Sequence, residues 1–132
     1  MKPLLKPIVL FSLIFVAACR LAPVENVESA SLGAPANATM EQVEEAIRRA
    51  GLGLGWQMVP EAPGDIKGTL RLRSHVAVVD ITYDTKTYSI NYLDSQNLKY
   101  EDGRIHKNYN SWVQNLSNAI QVEASAIDSG VS

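Results

Sequence analysis

Between Ile66 and Leu93 apolar and polar residues alternate through three runs, and this period of two constrains the fold more than any other feature of the chain. Alternation sends successive side chains to opposite faces of a strand, and it is satisfied by an antiparallel sheet with one buried face. In the first run Gly68, Leu70 and Leu72 share one face and Lys67, Thr69, Arg71 and Arg73 the other. In the second, Ala77, Val79, Ile81 and Tyr83 oppose Val76, Val78, Asp80 and Thr82. In the third, Tyr88, Ile90 and Tyr92 oppose Ser89, Asn91 and Leu93. A two-residue loop at Ser74-His75 sets Leu70 opposite Val79 and Leu72 opposite Ala77, although Ser-His is not a favoured pair for a primed turn. A loop over Asp84 to Thr87 sets Ile81 opposite Ile90, Val79 opposite Tyr92 and Tyr83 opposite Tyr88. Both loops keep the apolar residues on one side, and a slip of a single residue would swap the faces.

The flanking segments complete the expected fold. Trp56 to Pro60 reads as a further strand, joined to the first run by a turn around Pro63-Gly64. Thr39 and Gln42 form a capping box ahead of a helical stripe of Met40, Val43, Ala46, Ile47 and Ala50, which Gly51 is expected to end. After Ile105-His106-Lys107, Asn108 or Asn110 is placed to cap a second helix. Its stripe is Trp112, Val113, Leu116, Ala119 and Ile120, running to about Ala124. A short extra strand is expected around Leu98 to Glu101. The class is α+β: helix, four-stranded antiparallel meander, helix, with both helices covering one sheet face in two layers. The domain should span 39–126, with 127–132 frayed.

The N-terminus reads differently. Lys2 and Lys6 precede an uncharged run from Ile8 to Ala18 that ends in small residues before Cys19. A basic start, an apolar middle and a small-residue exit make a secretory signal, here 1–18, and the apolar run is short for a permanent membrane span. Val16-Ala17-Ala18-Cys19 resembles the bacterial lipobox, in which the cysteine thiol is diacylated and the chain is cut just before it, here after Ala18. Residues 19–38 are then the lipidated cysteine and a flexible tether with ends roughly 20–25 Å apart. Cys19 is the single cysteine of the 132 residues, so disulfides, cysteine-based metal sites and thiol nucleophiles are excluded from the domain. Loss of Lys2 and Lys6 from 12 basic residues against 14 acidic leaves a net charge of −4, which gives no reason to expect nucleic acid.

Chemical constellations are weak. Gly51-Leu-Gly-Leu-Gly55 follows a helix and precedes a strand, the reverse of a phosphate-binding loop. His75 and Asp80 lie five residues apart on or beside one strand and point to opposite faces, so Ser74, His75 and Asp80 make no hydrolytic triad. His75 and His106 lack the further ligands of a metal site. No catalytic residue, cofactor or metal is expected. The outer sheet face, with Lys67, Arg71, Arg73, Asp80 and Asn91, suits a binding surface as well as a solvated one, Asp80 lying diagonal to Lys67 and Arg71. The polar and aromatic segment before the last helix, with His106 and Tyr109, is the other candidate.

Gly55-Trp56, Pro63-Gly64, Arg73 to Asp80, Tyr88-Ser-Ile90, Asn97-Leu98, Ile105 to Asn110 and Trp112 together resemble a family of small lipoproteins of Gram-negative bacteria. The resemblance covers Met40 to Leu116, implies a lipid-anchored envelope protein and carries no catalytic residue. Arg20 after the cysteine, rather than Asp, is similar to lipoproteins sorted to the outer membrane. The expected role is a binding or adaptor module for a protein or cell-wall partner. The alternative is a periplasmic inhibitor or stress-response factor acting on an envelope enzyme.

Overall fold

A computed structural model describes residues 20–130; Ala18, Cys19 and the apolar run lie outside the described residues. The chain is α+β, with two helices, a five-stranded antiparallel sheet and a separate two-stranded ribbon. In chain order the elements are β1 (Leu21–Pro23), β2 (Val27–Ser31), α1 (Met40–Gly53), β3 (Trp56–Ala62), β4 (Asp65–Leu72), β5 (His75–Tyr83), β6 (Thr87–Gln96), β7 (Arg104–His106) and α2 (Asn108–Ser125). The sheet order is β2-β6-β5-β4-β3, so the expected meander is present as β3 to β6 and a fifth strand closes its β6 edge.

That fifth strand corrects the expected tether. Val27 pairs with Ile90, Ala30 with Tyr88 and Ser31 with Thr87, and Leu32 is fully buried. An irregularity between Val27 and Ala30, with Ser29 at φ 49°, shifts the apolar residues out of strict alternation, which hides the strand in the sequence. The Ser89 hydroxyl accepts from Ser29 N–H at the same irregularity. Further upstream, Leu21 pairs with His106 and Pro23 with Arg104, forming the β1–β7 ribbon. Asn110, expected as a helix cap, instead holds this segment: its Nδ2 donates to Pro23 O at 2.9 Å and its Oδ1 accepts from Glu25 N–H at 3.0 Å. α2 therefore begins at Asn108, with Lys107 at the N-cap position and no side-chain cap. The strand expected over Leu98 to Glu101 does not form: Leu98 is buried in the core, Glu101 makes an isolated bridge to Arg104, and the short strand here is β7.

The β5–β6 pairing has Ile81 opposite Ile90, Val79 opposite Tyr92 and Tyr83 opposite Tyr88, as the alternation predicts. The loop closes because Asp84 Oδ1 accepts from both Lys86 N–H and Thr87 N–H at 2.7 Å. The β4–β5 loop is Arg73-Ser74 rather than Ser74-His75, so Leu70 meets Ala77 and Gly68 meets Val79. Moving a hairpin loop by one residue shifts the register by two, which leaves every side chain on its expected face. Two contacts pin the loop there: Asn97 Nδ2 donates to Ser74 O, and the His75 ring meets Asn97 O at 2.8 Å.

Val43, Ile47 and Ala50 of α1 and Val113, Leu116 and Ile120 of α2 join Trp56, Met58, Leu70, Val79, Ile81 and Ile90 in one hydrophobic cluster. The capping box at Thr39 and Gln42 is present. Gly51 does not end α1; it lies buried inside it, where a Cβ would overlap the Met58 thioether, so glycine serves close helix–strand approach. Trp112, expected in the core, is half-buried against His75, ring centroids 6.4 Å apart. Leu72, at the end of its strand, is 46% exposed. The C-terminal tail is held through its first residues: Ile127 packs on the core and Asn37 Nδ2 donates to Ser129 O at 2.6 Å.

Candidate functional site

The register separates the candidate residues into groups. Across the outer sheet face one row runs Val59, Lys67, Asp80, Asn91, and the next but one toward the β4–β5 loop runs Arg71, Val76, Gln96. Lys67, Asp80 and Asn91 are thus brought side by side. Arg71 is two rows from Asp80, not diagonal to it, a consequence of the two-residue shift in register. Arg73 sits in the loop itself at φ 57°. The side chains of this face are exposed or half-buried, apart from Thr69 at 9%.

Asp80 has a neighbour the sequence did not suggest. Asp65 opens β4 opposite Thr82, which places its carboxyl diagonal to that of Asp80. A hydrogen bond between the two carboxyls, then burial, then repulsion from Asp65 and Glu61 push Asp80 from 3.8 up to about 6. Asp65 Oδ1 is buried with no hydrogen-bond partner. Pro63-Gly64 assigns Asp65 to a turn in the sequence, and only the strand register could have paired it with Asp80.

His106 and Tyr109 separate completely. Tyr109 is 0% exposed, its ring edge-on to Tyr92 at 5.7 Å and its hydroxyl without a partner, so it is core and not binding surface. Burial followed by Tyr92 pushes its hydroxyl far above the ordinary tyrosine range. His106 stands half-buried on β7, its Nδ1 accepting from Asn108 N–H at 3.2 Å. Burial, then the charges of His75, Arg20, Lys99 and Lys107, hold it below its ordinary value. The fold therefore brings the two histidines to one end of the molecule. Among the described residues no group of three or more His, Cys, Asp or Glu is placed to hold a metal.

The opposite end carries a cleft of about 470 Å³ lined by Met40, Glu41, Glu44, Pro60, Glu61 and Tyr83, among others. Three glutamates in that lining make the cleft electronegative, and burial and then Glu44 raise Tyr83 above its ordinary value. No described helix is long and apolar enough to cross a membrane. No protein family, curated protein or solved structure matches the chain.

Proposed function

We propose that the chain is a lipid-anchored cell-envelope lipoprotein, cut after Ala18 and diacylated at Cys19, whose domain is a binding module for an envelope protein or cell-wall partner. The N-terminal pattern ending in Cys19 supports the anchor, and the resemblance to small Gram-negative lipoproteins and Arg20 support an outer-membrane address. One observation carries the binding role: the outer face of the five-stranded sheet offers Lys67 and Arg71 beside a strip of Val59, Val76 and Val78. Cations that donate several hydrogen bonds beside small apolar groups are suited to a polar partner surface. Ser74 and His75 stand at the loop end of β5, and Asp80 is paired with Asp65 further along it, which favours binding over hydrolysis.

The intact mass of the membrane-extracted protein tests the anchor: it should begin at Cys19 and include diacylglycerol, and a mature mass without it ends that part of the proposal. A photoreactive side chain at position 71 tests the face in living cells. A defined crosslinked product should form there and not from position 122, an exposed site on α2. Equal products from both positions would retire the sheet face. The acidic cleft favours a second reading, an inhibitor or stress-response factor that engages a basic group of an envelope enzyme, and a photoreactive side chain at position 61 distinguishes it.

A further inference from the structure

The fold leaves almost no slack between the anchor and the domain. Arg20 follows Cys19 directly, its carbonyl accepts from Lys107 N–H at 2.9 Å, and Leu21 is already paired with His106. Two residues reach at most about 7 Å. Acyl chains on Cys19 therefore hold the surface around Arg20 and Lys107 at headgroup level, rather than at the end of a coil.

That surface is cationic. Lys99 and Lys107 are exposed, and Arg104 Nη2 donates to Leu21 O at 3.2 Å, which draws its guanidinium toward the anchor. The charges that bear on His106 are His75, Arg20, Lys99 and Lys107, all positive when protonated. Among the described residues the one ion pair within 4.0 Å is Arg49–Glu123, so these cations have no carboxylate partner. Glu101, bridged through its backbone to Arg104, and Asp102 border this patch at the Gly103 turn, where the ribbon reaches Val24 rather than Arg20. Tyr100, 46% exposed and stacked on Tyr92 at 4.3 Å, adds an amphipathic ring of the kind enriched at headgroup level. Glu41, Glu44 and Glu61 line the cleft at the other end of the sheet, where Asp65 opens β4, Lys67 follows two residues on, and Lys86 lies in the β5–β6 loop. β5 spans the two ends, and its nine residues extend roughly 26 Å.

We propose that the pole formed by Arg20, Lys99, Arg104 and Lys107 seats on the anionic phospholipid headgroups of the membrane that holds Cys19, turning the acidic cleft outward. This rests on the lipoprotein reading of residues 1–19. Each cation at an anionic bilayer surface strengthens contact roughly fivefold. A diacyl chain already retains the protein, so the patch sets orientation rather than retention.

Lysine footprinting of the mature acylated protein tests this, in vesicles of phosphatidylcholine with and without phosphatidylglycerol. With phosphatidylglycerol, acetylation of Lys99 and Lys107 should slow several-fold while Lys67 and Lys86 stay unchanged, and high salt should restore the rates. Lys99→Glu should re-expose Lys107 without releasing the protein from the vesicles. Equal labelling of all four lysines in anionic vesicles, on protein whose mass carries the acyl group, overturns the docking and leaves the lipoprotein reading intact. Protection of Lys67 and Lys86 instead overturns the orientation. A mass without an acyl group removes the lipoprotein reading and this inference with it.

Discussion

Two buried tyrosine hydroxyls meet opposite fates. Tyr88 OH is bonded to Ser117 and accepts from Gln121 Nε2 at 3.0 Å, whereas Tyr109 OH is buried with no partner. An unmet buried hydroxyl carries its desolvation cost without return, so Tyr109→Phe should raise stability by about 1 kcal/mol in urea titrations, while Tyr88→Phe should lower it by about as much. Asp80 gives a pH signature. Its folded-state value of about 6 lies above the ordinary 3.8, so the folded chain holds this proton more tightly between those values. The contribution is fully present below pH 3.8 and lost as pH rises through 6, the reverse of an ion-paired carboxylate. Asp65→Asn should flatten that slope and raise stability at pH 7, as thermal melts from pH 4 to 7 would read; an unchanged slope would separate the two carboxyls. The sequence places Asp80 correctly on the outer face, but its governing neighbour is set by a cross-strand register that residue spacing alone does not fix.

At the level of elements, α1 shows how one residue can carry two meanings. Gly51 after an amphipathic stripe signals a helix stop, yet the helix runs to Gly53 and the missing Cβ leaves space for Met58. Gly51→Ala should therefore destabilise although alanine favours helix. Overpacking costs about 1–3 kcal/mol against a helical gain of up to about 1, leaving a net loss of up to about 2 kcal/mol in chemical denaturation. Gly53→Ala, with open space around its Cβ position, should not lose stability. The meander was legible because period-two alternation survives a hairpin shift of two residues. β2 was not, because the irregularity at Ser29 breaks the alternation between Val27 and Ala30. β1 and β7, with three residues each, are too short to show a period, and their pairing joins residues more than eighty positions apart. Asn110 looked like a cap because asparagine before an apolar stripe normally is one, and its alternative use requires β1 to be present.

For the whole molecule, the incorporation of residues 20–38 into the fold changes what counts as the domain. Leu32 is 0% exposed, Val27 and Ala30 pack on the core, and β2 supplies the hydrogen bonds of the β6 edge. A chain beginning at Thr39 forfeits all of this and leaves β6 as an unpaired edge, a template for association with other chains. Leu32→Ala alone should cost about 2–5 kcal/mol, since the side chain is fully enclosed. Removal of 20–38 should cost more, and at a typical 4–8 °C per kcal/mol for a chain of this size it should lower the melting point by at least about 10 °C. Size-exclusion chromatography should show the shortened chain moving to larger species, while a chain retaining Arg20 onward stays discrete. If the Thr39 chain melts where the longer one does, β2 adds nothing and residues 20–38 act as a tether after all. If it fails as expected, residues 20–38 and the rest of the domain form one body, because Arg20 is already bonded to Lys107, the residue just before α2.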